Sequence, residues 1–211
     1  MSAAGMDTGL DLAGFALAVL LIELTPGPNM AWLAGLAATE GKRTGLSAVA
    51  GVAIGLLASG TLAALGLAAV LSAMPALWHI LRLGGAAMMG WMAIEAWRGA
   101  DKAVGSRPPE EGARRAFVTG ALINLLNPKA YMFFVVVAPQ FLNGAVLTLG
   151  KALLLSVVSA VIATAIHCAI VLAGSKAQAW LADSARTRWV RRGFAVIIFG
   201  VALSFLLIDI G

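Results

Sequence analysis

Residues 10–39 read LDLAGFALAVLLIELTPGPNMAWLAGLAAT, thirty residues that are nearly all apolar yet carry a glutamate and the run Thr25-Pro26-Gly27-Pro28-Asn29 at their middle. About 20 apolar residues suffice to cross a bilayer, so this stretch is long enough to span with a break inside it. Pro26 and Pro28 have no N–H to give to the carbonyls of Ile22 and Leu24, and their rings crowd that turn. Broken backbone at this depth is tolerated only against protein or water, because each unsatisfied group in hydrocarbon costs several kcal/mol.

The same pattern recurs across the chain. Of its 211 residues, 61% are hydrophobic and 12% charged, with mean hydropathy +0.93, against about 25% charged in a usual soluble domain. Further spans are expected at 44–71, 76–97, 115–141, 147–174 and 193–208. Met74-Pro75 divides the long uncharged run that holds the second and third. The fold class is therefore an all-α integral membrane protein of six helices. Residues 1–98 hold three spans, 99–112 form a linker, and 113–211 hold three more.

Three spans in each half bring the second half into the membrane from the opposite side, the arithmetic of an inverted repeat. Pro128 falls at the midpoint of the fourth span, as Pro26-Gly27-Pro28 falls beside that of the first, and it withdraws a donor from the carbonyl of Asn124. Asn127 before Pro128 fits a helix N-cap and first-turn pair, as Thr25 before Pro26 does less well. Half-helices that aim N-terminal ends at the midplane suit an anionic group, and the adjoining carbonyls and amides suit an ammonium.

Formal net charge is +5, and twelve of the fifteen basic residues fall in three clusters. These are Lys42 and Arg43; Arg98, Lys102, Arg107, Arg114 and Arg115; and Lys176, Arg186, Arg188, Arg191 and Arg192. They occupy alternate connections, so they mark one face of the membrane, the cytoplasmic one, and place both termini outside. Such loop asymmetry is not a nucleic-acid surface. The segment before the first span lacks the basic start of a cleaved signal, so that span is expected to be retained. One cysteine, Cys168, excludes disulfide and dithiol chemistry. No cofactor or metal motif is present.

Glu23 and Lys129 lie beside the midpoints of the two broken spans, where an isolated charge costs about 2.5–3.5 kcal/mol on insertion scales. Neither is expected to face lipid. A pair between them would leave a protonatable carboxylate in a transport path or serve as a structural contact. His167, mid-way along the fifth span, is a candidate proton relay or a bridging donor. Asn29, Asn124 and Asn127 flank the breaks, where they bind solute or cap half-helices. Arg82 and Glu95 are expected as interface anchors, and the six tryptophans as interfacial residues rather than a ligand cage. Gly51 and Gly55 form a GxxxG, suited to helix packing inside the bundle or to a homodimer face.

Two segments resemble the lysine exporter (LysE) superfamily, and more closely its branch of homoserine and threonine resistance (RhtB-type) exporters. They are LTPGPNM at 24–30, followed by Gly41, Gly45, Gly51 and Gly55, and GALINLLNPKAYMFFVVVAPQF at 120–141. LRLGGAAMMGW at 81–91 and RRGFAVIIFGVAL at 191–203 echo the third and sixth helices of that family. His167-Cys168 and Ala173-Gly174 stand where its fifth helix has a polar residue and a later tyrosine. The resemblance implies a bacterial inner-membrane exporter of amino acids or close derivatives, driven by protons, with Lys129 in the matched segment; the broken helices themselves make a small zwitterionic amino acid the expected substrate. The solute path then combines Glu23, Thr25, Pro26, Gly27, Pro28, Asn29, Asn124, Asn127, Pro128, Lys129 and His167, exposed alternately by rocking of one half against the other. A passive channel is the nearer alternative. An intramembrane hydrolase built on Ser156, Ser159 and His167 is the remoter one, since neither serine reaches the histidine within one helix.

Overall fold

The computed structural model describes residues 10–25, 28–67, 74–101, 109–127, 130–131, 133–144, 147–177 and 184–207. Among these the chain holds seven α-helices and no strand. Helices α1 (Leu12–Leu24) and α2 (Pro28–Glu40) share the first expected span, bent by 58° at the proline-glycine break. Asp11 starts α1 by accepting from the Gly14 N–H at 2.8 Å, and its own N–H donates to Phe141 O at 2.8 Å. Thr25 closes α1: its hydroxyl donates to Leu21 O at 3.1 Å and its N–H to Ile22 O at 3.2 Å. The expectation that Thr25 opens the following half-helix is thus corrected; its hydroxyl turns back along α1.

Gly41, at φ 90°, reverses the chain in one residue between α2 and α3 (Lys42–Leu62), a conformation that side chains with a Cβ rarely adopt. Residues Ala63–Leu67 carry α3 into a kink at Gly66, whose φ of 98° is not helical. Helix α4 (Pro75–Arg98) begins at the proline expected to break the apolar run, placed in the first turn where its missing N–H costs nothing. Helix α5 (Pro109–Leu125) carries Glu110 and Glu111 in its first turn, favourable to the helix dipole. After it come a π-helical turn, Phe133–Val137, and a 3-10 turn, Ala138–Phe141. Helix α6 (Leu149–Lys176) is unbroken, and α7 (Ser184–Leu207) takes the arginines of the third basic cluster into its own first turns, ahead of the span expected from residue 193.

Long α3 and α6 form the centre. Helix α3 packs against α5, α6 and α2, while α6 packs against α3, α2 and α1; α4 pairs with α7, which also touches α2. Glycine permits the tightest of these approaches. A Cβ on Gly51 would meet the carbonyl of Phe117, one on Gly55 that of Ala121, and one on Gly120 the carbonyl of Ala48. The GxxxG therefore faces α5 inside the bundle. Ser47 Oγ donates to Ala113 O at 2.7 Å and Asn124 Nδ2 to Val52 O at 2.8 Å, so hydrogen bonds also cross the same seam. Replacing Gly120 by leucine should force the two helices apart and cost about 1–3 kcal/mol, the usual range for overpacking. Thermal unfolding in detergent checks this, with Gly150→Ala, which meets nothing within 4 Å, as the neutral control.

Outward side chains such as Leu21, Val161 and Val196 are large, apolar and more than half exposed, a surface suited to lipid and not to water. By length and apolarity, α3 and α6 qualify to cross a membrane, as does the bent α1–α2 pair taken as one span. This is a multi-pass membrane protein. The start of α3, the end of α4, the start of α5, the end of α6 and the start of α7 gather the described members of all three basic clusters at one end of the bundle.

Candidate functional site

Two polar contacts meet at the broken first span. At the end of α1, Glu23 Oε2 lies 3.8 Å from His167 Nε2 of α6, with the His167 side chain 3% and that of Glu23 27% exposed. Past the break, Asn29 Nδ2 donates to Asn124 Oδ1 of α5 at 3.3 Å. The Asn124 amide is held in turn by its bond to Val52 O, and its backbone carbonyl accepts from Ser59 Oγ at 3.3 Å and from the Asn127 N–H at 3.1 Å. Tyr131 donates to Leu125 O at 2.9 Å, so carbonyls left at the end of α5 find donors from across the break.

Satisfaction is incomplete among the side chains. Asn29 Oδ1, His167 Nδ1 and Ser159 Oγ are buried without a hydrogen-bond partner among the described residues. A buried polar atom without a partner is costly, the more so in a bilayer, so such atoms mark where water or a polar solute is accommodated. An amide oxygen accepts from an ammonium; an imidazole nitrogen donates or accepts according to its proton.

Of the residues expected to form the path, the structure brings Glu23 to His167 and Asn29 to Asn124. Asn127 lies just beyond α5, where its backbone bonds Asn124 and Ala130. Pro28 is the first residue of α2. Pro26, Gly27, Pro128 and Lys129 lie outside the described residues, and with them the expected Glu23–Lys129 pair. Ser156 donates to Ala152 O of its own helix at 2.6 Å, so that hydroxyl is directed away from His167.

A cavity of about 260 Å³ opens at the basic end, lined along α2 by Trp32, Thr39 and Glu40, along α4 by Trp91 and Glu95, along α5 by Arg115 and Thr119, and along α7 by Arg191 and Phe194. It is smaller than the 300–1,000 Å³ usual for drug-sized ligands, a scale that suits a small metabolite. Its inner wall at Trp32 and Thr119 stops about a helical turn or so short of Asn29 and Asn124, at 1.5 Å of rise per residue. Glu95, expected as an interface anchor, lies near the basic end and forms an ion pair with Arg115, whose guanidinium lies 5.6 Å from the Trp91 ring centroid. Trp32 and Trp91 likewise face the cavity. The signal was present as Trp91 and Glu95 four apart on α4 and Arg115 and Thr119 four apart on α5, each pair sharing a helix face.

No solved structure matches this fold. Sequence relatives do. A membrane protein of Pseudomonas aeruginosa is 31% identical over 179 residues, 81% of this chain and 82% of its own. The threonine efflux protein of Salmonella typhi is 32% identical over 124 residues, 56% of this chain and 60% of that one. The homoserine/homoserine lactone efflux protein of Salmonella typhimurium is 24% identical over 181 residues, 85% and 88% of the two chains. Residues 20–208 match the family model described as LysE type translocator. With nearly the whole chain matched, this protein is a transporter and not an enzyme, and it belongs to the LysE family.

Proposed function

We propose that the protein exports small zwitterionic amino acids from the cytoplasm, by alternating access and in exchange for protons, through a six-span bundle of two inverted three-helix repeats. The contact between Asn29 and Asn124 carries this reading, because it joins the two places where the sequence breaks its spans. Half-helix ends and amides there receive the carboxylate and ammonium of the solute, with Thr25, Pro26, Gly27, Pro28, Asn127, Pro128 and Lys129 completing the path. Glu23 and His167 exchange the proton.

Packing order supports the repeat. Exchanging the halves turns α3 beside α5 into α6 beside the α1–α2 pair, and maps α3 beside α6, and α4 beside α7, onto themselves; all of these contacts occur. The basic end faces the cytoplasm of the inner membrane by the positive-inside rule, with both termini on the other side. Relatives named for threonine and homoserine efflux support an amino-acid substrate.

The test is export from cells fed dipeptides, followed by flux in proteoliposomes with and without an imposed proton gradient. Selective appearance of one amino acid in the medium, and accumulation that rises at least about tenfold with the gradient, are expected; a tenfold concentration ratio corresponds to only about 1.4 kcal/mol of driving force. Gradient-independent flux would favour a passive channel, and no change across the amino-acid panel would remove the export reading.

A further inference from the structure

The cavity at the basic end carries charges of both signs on helices that otherwise scarcely meet. Helices α4 and α5 have one of the slightest contacts in the bundle, and the Glu95–Arg115 pair bridges them there. Both side chains are about a third exposed, at 29% and 33%, so a solute in the cavity reaches them. Arg115 is steadied over Trp91, which leaves the planar guanidinium fork directed by an aromatic face and not by a flexible stem.

Opening such a pair with a simple ion satisfies one member and strands the other. A zwitterion brings an anion and a cation together and satisfies both, since a carboxylate matches the guanidinium bidentately and an ammonium matches the carboxylate. Around the pair, the aromatic part of the wall is Trp32, Trp91 and Phe194, with Thr119 leading inward and Glu40, Arg43 and Arg191 adding further charges.

Resting on the export reading, we propose that this cavity is an intake site in which a zwitterionic amino acid inserts between Glu95 and Arg115. The solute carboxylate takes the guanidinium of Arg115, and its ammonium takes the carboxylate of Glu95. Insertion releases α4 from α5 at this end while keeping both charges paired, so the site selects for the zwitterion before the solute reaches Asn29 and Asn124.

The full chain in nanodiscs tests this by calorimetric binding of L-threonine, L-threonine amide and 2,3-dihydroxybutyrate, which carry both charges, the cation alone and the anion alone. Wild-type protein should bind the amide and the hydroxy acid at least about tenfold more weakly than threonine, as expected for loss of one charge-assisted contact. Arg115→Gln should abolish the penalty against the amide only, and Glu95→Gln the penalty against the hydroxy acid only. Equal binding of the three ligands by wild type, no binding by any, or unchanged penalties in the variants would overturn the inference. A structural role alone lowers stability without moving these ratios. Should wild type fail to export in proteoliposomes while the ratios follow Glu95 and Arg115, the transport reading falls and the intake site stands; the opposite pair of results does the reverse.

Discussion

Replacing Asn124 by alanine should lower stability by about 1–3 kcal/mol, the cost of leaving a buried partner without its hydrogen bond, and cut export at least about tenfold even well below the melting temperature. The amide holds two elements at once, donating to Val52 O at 2.8 Å and accepting from Asn29 at 3.3 Å. Asn29→Ala removes only the second and longer bond. It should therefore spare most of the stability while reducing export to a similar degree. Because the two residues share a contact, the double variant should be no worse than the poorer single one. Thermal melts beside flux measurements on the same proteoliposomes separate the two effects; export that tracks stability alone would reduce the pair to a structural contact.

The second large effect belongs to Glu23 and His167. Glu23→Gln keeps the size of the side chain but removes its charge and its capacity to carry a proton. Gradient-driven export should fall at least about tenfold, while exchange of labelled against unlabelled solute, which moves no net proton, continues. Changing His167 to Gln should give the same separation. Of the two groups, Glu23 at 27% exposed is the more open and His167 at 3% the more enclosed, which orders them as entry and relay. Undiminished gradient dependence in either variant would remove that residue from coupling. Loss of driven flux and exchange together would point to solute binding instead.

Much of the architecture was legible because membrane helices are long and their interruptions are chemically abrupt. Proline and glycine at 26–28 announced the 58° bend between α1 and α2, and Met74-Pro75 announced the start of α4. Which side chains meet was less legible. In a soluble helix the apolar stripe names the buried face, but α1 and α6 are apolar all round, so nothing in their periodicity says that Glu23 turns toward His167. The pairing of Asn29 with Asn124 was closer to hand, since both sit beside proline breaks. The partner of Glu95 was not legible, because a charge near a helix end reads as an interface anchor and only the neighbouring helix, with Arg115 at the same height, adds the ion pair.

The seam between α3 and α5 bears on how such a molecule divides into moving parts. Its glycines bring one backbone onto the other, and Ser47, Asn124 and Ser59 fasten it along its length. Helix α3 comes from the first half of the chain and α5 from the second. Rocking the sequence halves against each other as rigid bodies would shear this seam, break its cross-helix bonds and strand carbonyls in a medium without water. The seam therefore ties α3 to α5, so that any rocking unit that contains one of them contains the other and draws on both halves of the chain.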